Sequence, residues 1–203
     1  LFVQDKSIID QREIRVDTND FSTALRSMFR QDVNVAMIGE MRDMETISAA
    51  VTAGETGHLV FSSLHTNSAS QTIDRIIDTF PPEQQNQIRL QLSNALLGVF
   101  SQRLIPRISG GLIPAYELLI NTPAVKNLIR ENRTHEIDMI IETSSELGMM
   151  SLNRSFFIDL PRFERPRIHR NFFVGVHPFY CGNNISDHIF VAGDLNSFFF
   201  NFF

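Results

Sequence analysis

The sequence predicts an α/β fold organised around the stretch from Val33 to Thr66, and three observations carry that expectation. Val33-Asn34-Val35-Ala36-Met37-Ile38 is a short apolar run whose length and β-branched content suit a buried central strand. It stops at Gly39-Glu40, which puts a carboxylate at the carboxyl end of a strand, the edge of an open α/β sheet where ligands bind. A second apolar run, Leu59 to Leu64, has His58 ahead of it and His65-Thr66 behind it. Between the two runs Asp43 can cap a helix to about Ala53, broken by Gly54 and Gly57.

Taken singly these features are bland. An acid after an apolar run can be a solvated strand end, and a lone histidine can be structural. The order strand, acid, helix, strand, histidine is more specific. The strand ends are expected to deliver their polar groups to one sheet edge, as in the back half of a nucleotide-hydrolysing core. There an acid orients water or metal and a histidine reaches a phosphate.

The remaining elements follow in chain order. Val3 to Val16 reads as β-rich, with Ile8-Ile9 and Ile14 to Val16 as the strand-like positions. Asp20 is an N-cap for a helix in which Phe21, Ala24, Leu25, Met28 and Phe29 recur at helical spacing and Arg26 and Arg30 fall on the other face. Ser68 and Gln71 form a capping box, followed by an Ile73, Ile76, Ile77 stripe and a polar Asp74, Arg75, Asp78 face. Pro82 can occupy the first turn of the next helix, expected over about 83–103 with Ile88, Leu92, Leu96, Val99 and Phe100 on one side. On it Arg89 and Arg103 are either subunit contacts or solvated. Leu104-Ile105-Pro106-Arg107 reads as a short edge-like strand, Gly110-Gly111 as a turn and Ile113 to Ile120 as a second strand. Thr122-Pro123 opens another helix, and His135 to Leu147 reads as one more.

Met37-Ile38-Gly39-Glu40-Met41-Arg42-Asp43 resembles the Walker B segment of the secretion-type ATPases that drive type IV pili and type II secretion. Thr56-Gly57-His58-Leu59-Val60-Phe61 through Leu64-His65-Thr66 resembles their histidine box. The helix Ala124-Val125-Lys126-Asn127-Leu128-Ile129-Arg130-Glu131 is similar to a signature of the PilT-type, twitching-motility retraction ATPases, with Lys126 in place of the usual arginine. The resemblance runs from about residue 3 to residue 150. The assembly and type II secretion ATPases usually carry Cys-x-x-Cys pairs, which this sequence lacks, and they remain the alternative.

The resemblance implies a P-loop NTPase, RecA-like, represented by the C-terminal part of its core over 1–107, with a hairpin and helical C-terminal subdomain over 108–155. It implies ATP and Mg²⁺ as ligands, a homo-hexamer, and an inner-membrane pilus platform protein as partner. The location implied is cytoplasmic, peripheral to the inner face of the cell membrane. Glu40 would orient the attacking water and support Mg²⁺, with no direct protein metal cage. His65 would sense the γ-phosphate, and Gly39 and Arg42 would lie at the nucleotide site. His58 would couple the site to domain movement.

No G-x-x-x-x-G-K-[ST] pattern occurs, and the first residue lies mid-pattern, so the chain is expected to be a fragment whose phosphate cradle lies upstream. A half-domain of this kind is expected to leave an open sheet edge. No apolar run reaches the roughly 18 residues of a membrane span. The net charge of −5 argues against a nucleic-acid partner bound mainly through phosphates. The single cysteine, Cys181, excludes an internal disulfide.

Residues 156–203 differ from the rest: 12 of the 18 Phe lie beyond residue 150, and Asn196 to Phe203 follows neither helix nor strand periodicity. The expectation is a frame-shifted translation, the alternative a lineage-specific extension with an exposed aromatic end. His169, His177, Cys181 and His188 fit no usual zinc spacing.

Overall fold

The computed structural model describes residues 8–106, 111–159 and 188–193. Among them are strands β1 (Ile8–Glu13), β2 (Val35–Ile38), β3 (Leu59–Ser62), β4 (Gly98–Pro106), β5 (Leu112–Ile120) and β6 (His188–Gly193). The expectations for Val3 to Ser7, Arg107, Gly110, His169, His177, Cys181 and Asn196 to Phe203 lie outside the described residues.

One sheet has the order β1-β6-β2-β3. β2 and β3 are parallel, joined through helix α2 (Met44–Glu55), which is the predicted strand–helix–strand unit. β6 runs antiparallel to both β1 and β2, so the place beside β2 is filled from the far end of the chain. β4 and β5 form a separate antiparallel hairpin. The expected boundary at residue 107 lies between β4 and β5, which pair with each other.

Helix α1 (Phe21–Met28) begins where Asp20 accepts the Thr23 amide, and it buries Ala24, Leu25 and Met28. Asp43 does the same for α2 through the Thr46 amide. Ala50 and Ala53 of α2 join α1 and β2 in one apolar cluster, while Ile47 and Val51 enter a second, larger one. With apolar neighbours on two sides, α2 has no single hydrophobic stripe.

Gly54 does not break this helix. It sits in the last turn, where a Cβ would lie 3.3 Å from Ala95 Cβ, so its bareness admits the neighbouring helix α4 (Pro82–Ala95). Gly57, at φ +97°, ends the turn. The strand-like reading of Ile14 to Val16 is also corrected. Arg15 has φ 70° and residues 15–17 form a turn held by the Arg15 amide on the Thr18 carbonyl at 2.6 Å, with Val16 exposed.

Helix α3 (Ala69–Asp78) carries the predicted cap, with Ser68 accepting the Gln71 amide and the Gln71 side chain reaching the Asn67 amide. Pro82 opens α4 as expected, but α4 stops at Ala95 rather than near 103. The Asn121 side-chain amide donates to the carbonyls of Ser93 and Leu96, at 3.0 and 2.6 Å, and so satisfies the helix end from outside. Gly98 then lies against β5, and residues 98–106 are strand.

Helix α5 (Pro123–Arg130) starts at the Thr122 cap. The single helix expected over His135 to Leu147 is three pieces: a 3-10 turn at Thr134–Glu136, helix α6 (Ile137–Thr143) and a second 3-10 turn at Ser145–Leu147. Helix α7 (Leu152–Asp159) follows. The larger cluster joins α2, α3, α4, β5, α5 and α6, and it continues through both sides of residue 107.

Candidate functional site

β2 and β3 end at the same edge because they are parallel. Gly39-Glu40 follows β2, and Ser63 to Asn67 follows β3. The two segments are tied by the Met41 amide on the Ser63 carbonyl at 3.2 Å and by the Ser63 hydroxyl on the Gly39 carbonyl at 2.5 Å. Met41 packs against both apolar clusters, which seats the Glu40 segment on the core.

The Glu40 side chain is only 11 % exposed. Its Oε2 accepts from Arg42 Nε at 2.7 Å and lies 2.6 Å from Arg42 Nη2. Its Oε1 faces His65 Nε2 at 3.4 Å. The hydrogen bond from Arg42 lowers the Glu40 pKa from the ordinary 4.5, against the opposing effect of burial, and the fields of Arg42, His65 and Arg75 add to the lowering. Glu40 is therefore ionised near neutrality. Oε2 is engaged twice by Arg42, so Oε1 is the oxygen left to accept a proton or orient a water. His65 is 77 % exposed and presents a ring nitrogen at the same place.

The structure thus brings Glu40, Arg42 and His65 together, with Gly39 immediately before Glu40 and its carbonyl bound by Ser63. His58 is not with them. It precedes β3, whose four residues span about 13 Å, so it lies at the opposite sheet edge, correcting the expectation of one shared edge. There its Nδ1 lies 3.2 Å from the Ala53 carbonyl and 3.1 Å from the Thr56 hydroxyl, and its ring meets Phe29 edge-on at 5.3 Å.

In α5, Val125, Leu128 and Ile129 are buried in the larger cluster, while Ala124 and Asn127 are exposed and Lys126 is half-buried. Asn127 accepts from Arg130 Nη2 at 2.6 Å. The open cleft lined by Ile14, Asp20, Phe21, Asp43 and Thr46 includes neither Glu40 nor His65.

Two groups near the site have no motif in the sequence. Arg75 belongs to the polar stripe of α3, yet its charge acts on Glu40. Glu117 interrupts the buried face Ile113, Ala115, Leu119 of β5, and an acid on an apolar face is the only sequence signal for it. Arg103, instead of standing free, donates from Nη2 to the Asn67 carbonyl at 2.8 Å.

Among the described residues no group of three or more His, Cys, Asp or Glu could hold a metal. A single carboxylate at Glu40 fits Mg²⁺, which keeps several waters and takes phosphate oxygens for its other positions.

The family model for Type II/IV secretion system protein matches residues 7–112. The chain is 50 % identical over 148 residues to the type IV pilus retraction ATPase PilT of Pseudomonas aeruginosa, a match covering 73 % of this chain and 43 % of that protein. It is 46 % identical over 151 residues to a twitching motility protein of Neisseria gonorrhoeae, covering 74 % and 40 %. A crystal structure of the pilus retraction motor PilT with bound ADP superposes with a TM-score of 0.63 at 45 % identity, over 77 % of this chain and 48 % of that one. The chain spans less than half the length of each of these relatives. The matching family model, the parallel β2–α2–β3 unit and the acid and histidine at its carboxyl edge agree, and the chain belongs to the Type II/IV secretion system protein family.

Proposed function

We propose that this chain carries the water-activating half of an ATP-hydrolysing site in a motor that retracts type IV pili. The observation that carries the reading is the Glu40 carboxylate at the end of β2, with Oε2 held by Arg42 and Oε1 turned to His65. Glu40 Oε1 orients the attacking water, and Arg42 keeps the carboxylate ionised. His65 donates from Nε2 to the phosphoryl group. Phosphoryl transfer asks for positioning and charge stabilisation rather than covalent chemistry, and these groups supply it. When bound beside Glu40, Mg²⁺ neutralises phosphate charge.

Retraction is favoured over assembly or secretion by the helix Ala124 to Glu131 and by the relatives named above. The motor works as a homo-hexamer at the cytoplasmic face of the inner membrane, against a pilus platform protein. His58 couples the sheet to movement between domains through Phe29 and Ala53.

Glu40→Gln in the complete protein is expected to lower phosphate release by about 10²- to 10⁴-fold while ATP remains bound. Unchanged turnover removes Glu40 from this role. A complete protein that releases no phosphate would favour a second reading, a non-catalytic interaction piece.

A further inference from the structure

Among the described residues the exposed His65 ring has one polar neighbour in the site, Glu40 Oε1 at 3.4 Å, so its position is set by the backbone on either side. On the β3 side that backbone is fixed by Ser63, through its bonds to Gly39 and Met41. On the α3 side the anchors come from the hairpin. Arg103 of β4 donates to the Asn67 carbonyl at 2.8 Å, and Glu117 of β5 accepts the Ala69 amide at 2.7 Å. These two bonds bracket Ser68, the N-cap of α3. The Thr66 and Thr72 hydroxyls, 2.6 Å apart, tie the loop to the same helix turn.

This is a costly way to pack a seam. Glu117 is 9 % exposed and Ala69 0 %. Burial raises the Glu117 pKa and the Asp138 charge adds to that, while the Ala69 amide and the Arg103 charge oppose it. Among the described residues Arg103 Nε is buried without a partner. An apolar pair of similar volume would fill the space at lower cost. What it could not do is hold a helix N-terminus and the carbonyl two residues earlier at fixed points. A carboxylate on the first amide of α3 also meets the positive end of the helix dipole.

We propose that Glu117 and Arg103 are positioning residues, a clamp from the β4–β5 hairpin that holds the loop Leu64 to Asn67 so that His65 faces Glu40. The catalytic part of this inference rests on the ATPase reading above. The clamp acts through His65, and neither member touches the reacting groups.

Two measurements test it. In the complete protein, Glu117→Ala should lower kcat about 10- to 100-fold, the loss that a misplacement near 1 Å brings, with KM changed less than about twofold. Glu117→Gln keeps an oxygen acceptor for the Ala69 amide and should restore most of that loss. Equal damage from Ala and Gln, or a kcat unchanged in Glu117→Ala, overturns the clamp.

The second measurement needs no hydrolysis. Amide hydrogen exchange at Asn67, whose N–H is held by Gln71, should quicken in both Glu117→Ala and Arg103→Ala, while the β2–β3 ladder amides keep their rates. Unchanged exchange at Asn67 in both variants overturns the clamp even if the protein proves to hydrolyse no ATP. Quickened exchange in a protein without ATPase activity overturns the functional reading and leaves the clamp standing.

Discussion

Gly98→Ala has an effect whose sign depends on the fold. If the helix continued from Pro82 to Arg103, as the spacing of Ile88, Leu92, Leu96, Val99 and Phe100 predicts, alanine at 98 would stabilise it by roughly 0.5–1 kcal/mol over glycine. In the structure Gly98 is the first residue of β4, paired with Ile120, and a Cβ there would lie 2.6 Å from the Leu119 carbonyl oxygen. That oxygen is backbone, and the Leu119 side chain is fully buried, so β5 cannot step aside without dragging the larger apolar cluster with it. The expected result is an overpacking loss of about 1–3 kcal/mol. For a chain of this size that lowers Tm by roughly 2–12 °C. Thermal unfolding followed by far-UV circular dichroism, on the parent and variant side by side, reads it directly. A Tm equal to or above the parent would refute the strand assignment and its steric argument.

Two further outcomes are expected. Asp43→Ala removes the acceptor for the Thr46 amide at 2.8 Å and hydroxyl at 3.0 Å and should cost about 0.5–2 kcal/mol in denaturant unfolding; Asp43→Asn should recover most of it, and an unchanged midpoint in Asp43→Ala would remove the cap from the account. The depressed Glu40 pKa makes its contribution to stability present above the ordinary 4.5 and lost as pH falls through the lower folded value. The stability difference between parent and Glu40→Gln should therefore shrink on acidification below 4.5, and a difference that is flat with pH contradicts the ion pair. Comparing that pair of proteins isolates Glu40, because the raised Glu117 pKa gives the opposite slope in both.

Much of the fold was legible because its causes are local. β2 and β3 are short apolar runs, and Asp20, Asp43, Ser68 and Thr122 cap their helices through an amide three residues on. The parallel strands placed Glu40 and His65 at one edge from order alone. By the same logic His58, before β3 rather than after it, belongs to the other edge, and its strand position already implied that. Other features depend on distant partners. Gly54 looks like a breaker until Ala95 is seen beside it.

The sequence by itself determined the core β2–α2–β3 unit, its caps and the acid and histidine at its edge, because apolar periodicity and capping act within a few residues. The tertiary structure alone decided where α4 ends, since Asn121 caps it from across a strand. It alone decided that β6 enters the sheet between β1 and β2. Arg75 reaches Glu40, and Glu117 takes the first amide of α3, through electrostatics and hydrogen bonds that depend on distance in space. Separation along the chain carries no record of either.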